Sequence, residues 1–201
     1  MYERSGNGWR VSAGTHGQML VALYLRDLAG IDHPGLPVLS RLAPVVKPSA
    51  AAELAPHAAG ELKQEWQGWW LRILQDDAGA EQLVAPPHFP AFADSPTLQR
   101  LLRAHYGTAL TWARARMDEY RGLSREHTVS GRRRVLEQLV EERSLELDGA
   151  EQVVELRLVE LPLAERRAWF VEPGTVLMSQ ELPLDETLFR SYLEPIVEFL
   201  P

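Results

Sequence analysis

The chain has 201 residues, a formal net charge of −7, 45% hydrophobic residues and no cysteine. This hydrophobic content supports a folded core, and the lack of cysteine excludes disulfides, thiolate chemistry and cysteine-ligated zinc. The negative balance argues against a general nucleic-acid or anionic-membrane binder, because both need cationic surfaces. No basic stretch followed by an apolar core opens the chain, so we expect a soluble cytoplasmic protein without a signal peptide.

A strongly apolar segment near the start predicts a buried helix. Thr15 and Gln18 fit a capping box, in which a threonine at the N-cap is followed three residues later by glutamine. Between Met19 and Leu28, apolar residues cover nearly the whole helical circumference, which is typical of a central core helix. Gly30 is the predicted C-terminal stop. The segment is far too short to span a bilayer.

A tryptophan-rich helix follows, with proline-rich stretches on either side of it. Trp66, Trp69 and Trp70 recur at helical spacing, and one helix cannot hide three indole rings on a narrow stripe. We therefore expect at least one ring to reach a ligand groove or a partner surface. Phe89 and Phe92, on the second proline-rich stretch, would cover that groove. Core packing is the alternative that the same pattern allows, since tryptophan is usually well buried.

The clearest helix start in the chain is Ser95-Pro96, with serine as the N-cap and proline at the first helical position. The apolar pattern then predicts a helix that stops at Gly122. His105 lies on the apolar face of this helix, beside Tyr106. A hydrogen-bonded core histidine is the preferred interpretation of His105, and a buried acid or base is the alternative.

Three consecutive arginines, Arg132, Arg133 and Arg134, lie in the first turn of the next predicted helix, which Ser130 should cap. Positive charge at this end opposes the helix dipole, at a small local cost. A solvated helix face explains the run most simply. The sharper hypothesis is a patch for an acidic partner.

The segment 152–182 is the only long stretch that is typical of a sheet. Val154, Leu156 and Leu158 alternate with charged residues, which predicts a strand with one apolar face. The alternation is lost at Val159 and Leu161, so the strand either contains a bulge or ends with both faces covered.

Two shorter strands are expected after this one, around Ala168 to Val171 and Val176 to Ser179. The intervening 172–175 has proline and glycine at the central positions of a type II turn. We expect about three antiparallel strands, with the long strand in the centre. The last helix should begin after Asp185 as its N-cap and kink at Pro195.

No pattern predicts a metal, a cofactor or a nucleotide. The glycines near the start match no phosphate-binding loop, and there is no nucleophile elbow of the GxSxG type. No pair of histidines has the spacing of a helical zinc site. The six histidines are His16, His33, His57, His88, His105 and His127.

These patterns predict an α+β protein in a single domain, 1–201. A mostly helical part, 1–125, precedes a helix, a small antiparallel sheet and a terminal helix in 126–201. The leading functional hypothesis is a cytoplasmic, non-catalytic binding or interaction protein. The alternative is an enzyme or sensor that binds a small molecule near Trp66–Trp70 and His105; nucleic-acid binding comes third. The sequence leaves open the ligand or protein partner, homo-oligomer formation and whether the chain is catalytic.

Overall fold

The computed structural model describes residues 2–6, 8–32, 35, 37–49, 56–75, 84–129, 132–146, 154–171 and 174–200. The chain forms two compact units. We call Gly17–Met117 the helical unit, and Met1–His16 with Asp118–Pro201 the sheet unit. The α+β class is confirmed, whereas the single domain stays a prediction. None of the described helices has the length and apolar character needed to cross a membrane.

In the described ranges, three helices and a short 3₁₀ turn build the helical unit. They are α1 (Gly17–Leu28), α2 (Pro56–Gln75), the turn Pro90–Phe92 and α3 (Pro96–Val129), of which the residues up to 117 count with this unit. As predicted, α1 is buried all round from Met19 to Leu28. Helix α2 is hydrogen-bonded to α1 through the indole of Trp66, whose N–H donates to the Ala22 carbonyl at 2.8 Å.

Two predicted helix ends are wrong. Helix α1 starts at Gly17, and the side-chain oxygens of Thr15 and Gln18 are buried without a hydrogen-bond partner among the described residues, so no capping box forms. Helix α3 continues through Gly122 to Val129. A single glycine costs a helix only about 1 kcal/mol, which does not end it when the surrounding residues favour it.

The sheet unit contains a five-stranded mixed sheet, where the sequence predicted about three antiparallel strands. Its strands are β1 (Tyr2–Gly6), β2 (Trp9–Gly14), β3 (Val154–Leu161), β4 (Ala168–Val171) and β5 (Thr175–Ser179), in the spatial order β1-β2-β3-β5-β4. Strand β3 is central, as predicted. It pairs in parallel with both β2 and β5, while β1–β2 and β4–β5 are antiparallel.

The two additional strands come from the N-terminal residues, within the part predicted to be mostly helical. Gly6 pairs with Trp9, so β1 and β2 are joined by residues 7 and 8, and Gly8 has φ 76°. An Asn-Gly pair between extended segments is a strong hairpin signal, because tight hairpin turns need positive φ. The sequence carried this signal in Asn7-Gly8, although residue 7 lies outside the described part.

The lost alternation in β3 reflects burial of both faces at its end. Its register with β2 and β5 is unbroken, which leaves no place for a bulge. Val159, Glu160 and Leu161 are all buried, whereas Glu155 near the start of the strand is exposed. The covered-end interpretation is therefore the correct one.

One face of the sheet is covered by α4 (Arg132–Glu146) and α5 (Glu186–Phe199). Leu136 and Leu139 of α4 lie in the same buried cluster as Leu156 of β3, as predicted. Asp185 caps α5 by accepting from the Leu188 amide at 3.0 Å. The helix continues past Pro195 to Phe199, and the predicted cap residue Ser130 lies outside the described residues.

Candidate functional site

The end of α1 forms the first wall of a groove in the helical unit. Gly30 has φ 66°, and its amide donates to the Asp27 carbonyl at 3.1 Å while Ile31 donates to the Arg26 carbonyl at 3.0 Å. This is a Schellman motif, which needs a left-handed residue and therefore favours glycine. The predicted stop at Gly30 is confirmed. The motif turns the chain sharply, so that residues 29–32 leave the helix as a short wall.

A buried ion pair anchors this wall to the next segment of the chain. Arg26 and Asp27 are 2% and 1% exposed, and the guanidinium Nε of Arg26 donates to Asp27 Oδ1 at 2.7 Å. Arg26 also donates to the carbonyls of Leu39 and Ser40, at 3.1 and 2.7 Å. The Leu42 amide donates to Asp27 Oδ2 at 2.8 Å. Adjacent charges in a buried helix thus hold the extended segment 39–42 in place.

Arg41 carries this network to the groove. Its guanidinium lies 3.4 Å from Asp27 Oδ1 and also donates to Oδ1 of Asp32. One half-exposed arginine therefore links a buried carboxylate to a carboxylate on the groove wall. Arg41, which contacts the buried Asp27, thereby positions Asp32.

The second wall is the first part of α2. Between the two walls lies a groove of about 300 Å³. Its lining is mostly small or aliphatic, with one acidic and one basic side chain: Ala29, Gly30, Ile31, Asp32, Ala59, Gly60, Leu62 and Lys63. A Cβ added at Gly60 would meet nothing within 4 Å, which shows how open this wall is. A volume near 300 Å³ suits a ligand of few atoms, since ligand pockets start at about this size.

The two charges of the groove differ in their partners. The carboxylate of Asp32 is already paired with Arg41. Lys63 is half-buried on α2, and among the described residues it forms no ion pair. The groove therefore combines apolar walls with one ammonium group that has no carboxylate partner in the described part of the chain.

The tryptophan cluster is core, which corrects the expectation that one ring reaches a groove. Trp66, Trp69 and Trp70 are each exposed by 2% or less. Trp66 stacks on Trp70 with ring centroids 5.3 Å apart, and Trp69 meets the edge of Phe92 at 5.5 Å. Phe89 is equally buried. Three large rings fit inside because loop residues, and not only neighbouring helices, close over them.

His105 and Tyr106 are half-buried on α3, where the sequence favoured a core histidine at position 105. Tyr106 meets the edge of Phe89 with centroids 5.3 Å apart. Burial of the phenol raises the pKa of Tyr106 above its ordinary 10.0, and the charge of Arg114 offsets part of this rise. Neither residue lines the groove.

The arginine run is less available to an acidic partner than its sequence suggests. Arg134 is exposed, and its Nη2 donates to both carboxylate oxygens of Glu186 at 2.9 and 3.1 Å. The side chains of Arg132 and Arg133 lie outside the described residues. The patch for an acidic partner stays a prediction, with one of its three charges already compensated within the sheet unit.

Sequence reasoning missed the residues that build the groove. Arg26 and Asp27 were hidden in a segment interpreted as apolar all round, although an adjacent Arg-Asp pair in such a segment is itself a signal of a buried ion pair. Asp32 and Lys63 carry no motif and are 31 positions apart in the sequence. Within the described ranges no cluster of three or more metal-ligating side chains occurs, and the absence of a metal stays a prediction.

Comparison with known proteins adds no relative: no family model, no curated protein and no solved structure matches the chain.

Proposed function

We propose that this chain is a cytoplasmic, non-catalytic binding protein whose ligand is a small molecule held in the groove between the end of α1 and the start of α2. The groove itself is the observation that supports the proposal, because it has a volume of about 300 Å³ and is lined by apolar and charged side chains. Concave, mostly apolar sites with a few placed polar groups are the usual form of ligand sites. A chain without cysteine also suits a reducing compartment.

Contacts within the chain itself hold both walls, which supports binding. The Schellman turn at Gly30 and the buried pair Arg26–Asp27 fix the residues after α1. Trp66, one turn beyond Leu62, ties α2 to α1 through its bond to the Ala22 carbonyl. A site with fixed walls loses little conformational entropy on binding, so that more of the contact energy appears as affinity.

The proposed small-molecule site is the groove, and not the aromatic cluster of Trp66, Trp69 and Trp70. With the three tryptophans buried, a ligand has no access to their faces. The groove lies on the same helix, about one turn before Trp66, and that distance makes Trp66 a suitable fluorescent reporter. The aromatic cluster then supports the wall and reports its occupancy without touching the ligand.

Two glycines of α2 allow a matched test. Gly60 lines the groove, whereas Gly68 lies two turns further along and does not; an added Cβ meets no atom within 4 Å at either position. Gly60→Leu fills the groove, and Gly68→Leu makes the same chemical change away from it. Both should fold, since replacing an exposed helical glycine favours the helix by up to about 1 kcal/mol.

The experiment is a screen of small acids, amines and neutral fragments by ligand-observed NMR against the wild type and both variants. We expect fragments that bind the wild type and Gly68→Leu but lose their signal with Gly60→Leu. The proposal is refuted if no fragment shows this pattern, or if both variants weaken binding equally.

A further inference from the structure

The side chains that line the groove restrict the chemical class of its ligand as well as the size. The inference about that class rests on the proposed function. Two charged side chains line the groove, the acid Asp32 and the base Lys63, and Asp32 is paired with Arg41, which lies outside the lining. Among the described residues, Lys63 is thus the charge of this lining that has no ion pair, and an ammonium without a partner favours an anionic ligand.

Lys63 is the group that would meet this anion. Asp32 is already matched by Arg41, and Arg41 is held in turn by the buried Asp27. A ligand ammonium at Asp32 would have to compete with the guanidinium of Arg41. A ligand carboxylate at Lys63 displaces no protein partner within the described residues, and a charge-assisted hydrogen bond is stronger than a neutral one.

The aliphatic side chains that line the groove determine the hydrocarbon part of the ligand. Ile31 and Leu62 are buried aliphatic side chains, and Ala29 and Ala59 add methyl groups beside them. None of the described residues that line the groove is aromatic, so a flat ring would find no stacking partner among them. The available space of about 300 Å³ suits a short, branched chain better than a long one.

We infer that the groove binds a short aliphatic carboxylate, with the carboxylate on Lys63 and the hydrocarbon body against Ile31 and Leu62. Lys63 is the specificity-determining residue, because its ammonium decides between acids and amines of the same shape. The aliphatic walls set the preferred length.

Isovalerate and isopentylamine, which share the same branched body, test the charge preference by calorimetry and tryptophan fluorescence. We expect isovalerate to bind with a Kd of about 0.1–1 mM, as the best efficiencies of very small ligands allow. Isopentylamine should bind at least about tenfold more weakly. Along acetate, butyrate and isovalerate, each added methylene should tighten binding up to about fourfold until the groove is filled.

Variants of Lys63 separate a charge effect from a packing effect. Lys63→Gln should weaken isovalerate binding by about tenfold, and Lys63→Arg should largely restore it. Lys63→Glu should reverse the preference, so that isopentylamine becomes the better ligand. Equal binding of the two probes to the wild type overturns the inference, as does an acid preference that survives in Lys63→Glu.

The outcomes for the two proposals are distinguishable. Amines or neutral fragments that bind the wild type, and are blocked by Gly60→Leu alone, would leave the proposed function standing and overturn the carboxylate inference. If Gly60→Leu and Gly68→Leu act alike on isovalerate, the groove is not its site and the carboxylate inference is overturned; the proposed function falls as well if no other fragment is blocked by Gly60→Leu alone.

Discussion

Removing the buried carboxylate at position 27 tests whether the ion pair organises the groove wall. In Asp27→Ala, the guanidinium of Arg26, 2% exposed, loses its only carboxylate among the described contacts, and the Leu42 amide loses its acceptor. Breaking a buried pair by removing one partner costs about 3–5 kcal/mol. A typical domain has about 5–15 kcal/mol in total, so we expect a large loss of stability.

Urea unfolding followed by tryptophan fluorescence measures this loss, because four of the six tryptophans lie in the helical unit: Trp66, Trp69, Trp70 and Trp112. Asp27→Asn should lose less than Asp27→Ala, since its amide oxygen can still accept from the Leu42 amide. Asp94→Ala, an exposed aspartate of the same unit, is the matched control and should change stability little. If Asp27→Ala unfolds at the same urea concentration as Asp94→Ala, the network does not support the wall, and the argument for ordered walls fails.

Two further predictions concern the sheet unit and use denaturant melts. Leu156→Ala should cost about 2–5 kcal/mol, because it opens a cavity under α4, while Glu155→Ala on the exposed face should cost little; equal losses would mean that both faces are buried there. Gly174→Ala should cost about 2 kcal/mol or more, since Gly174 has φ 69° and a Cβ there would lie 2.2 Å from the Glu155 carbonyl oxygen. Gly107→Ala, in a helix with open space around it, should instead stabilise slightly, and similar effects at the two glycines would contradict the strain argument.

Several elements could be predicted because their signals are local. The all-round apolar pattern of α1 and its stop at Gly30 depend on residues within a few positions of one another. The same holds for the cap at Asp185 and for the positive φ of Gly174, which suits its position in the expected type II turn. Strand β3 was recognisable from its alternation. In each case the physical cause lies within one turn or one strand.

Errors arose where a local signal was given too much weight or was overlooked. The apolar pattern predicts a stop at Gly122, yet a glycine inside α3 lowers helix stability without ending the helix. Asn7-Gly8 is a hairpin signal in the sequence, but the prediction places these residues in a mostly helical part. The parallel pairing of β2 with β3 was beyond local reasoning, since the two strands are separated by about 140 positions in the sequence.

The sequence by itself determined the α+β class, most helix positions, the three C-terminal strands and the face of β3 that meets α4. Only the tertiary structure decided the parallel pairings of β3, the burial of the three tryptophans and the groove at the end of α1. The physical reason is the range of the interactions. Caps, turns and periodicity depend on neighbours along the chain, whereas a groove exists only where α1, α2 and the segment around Arg41 meet. Arg26 and Asp27 become an organising pair only because the fold excludes water from them and brings Leu42 to their carboxylate.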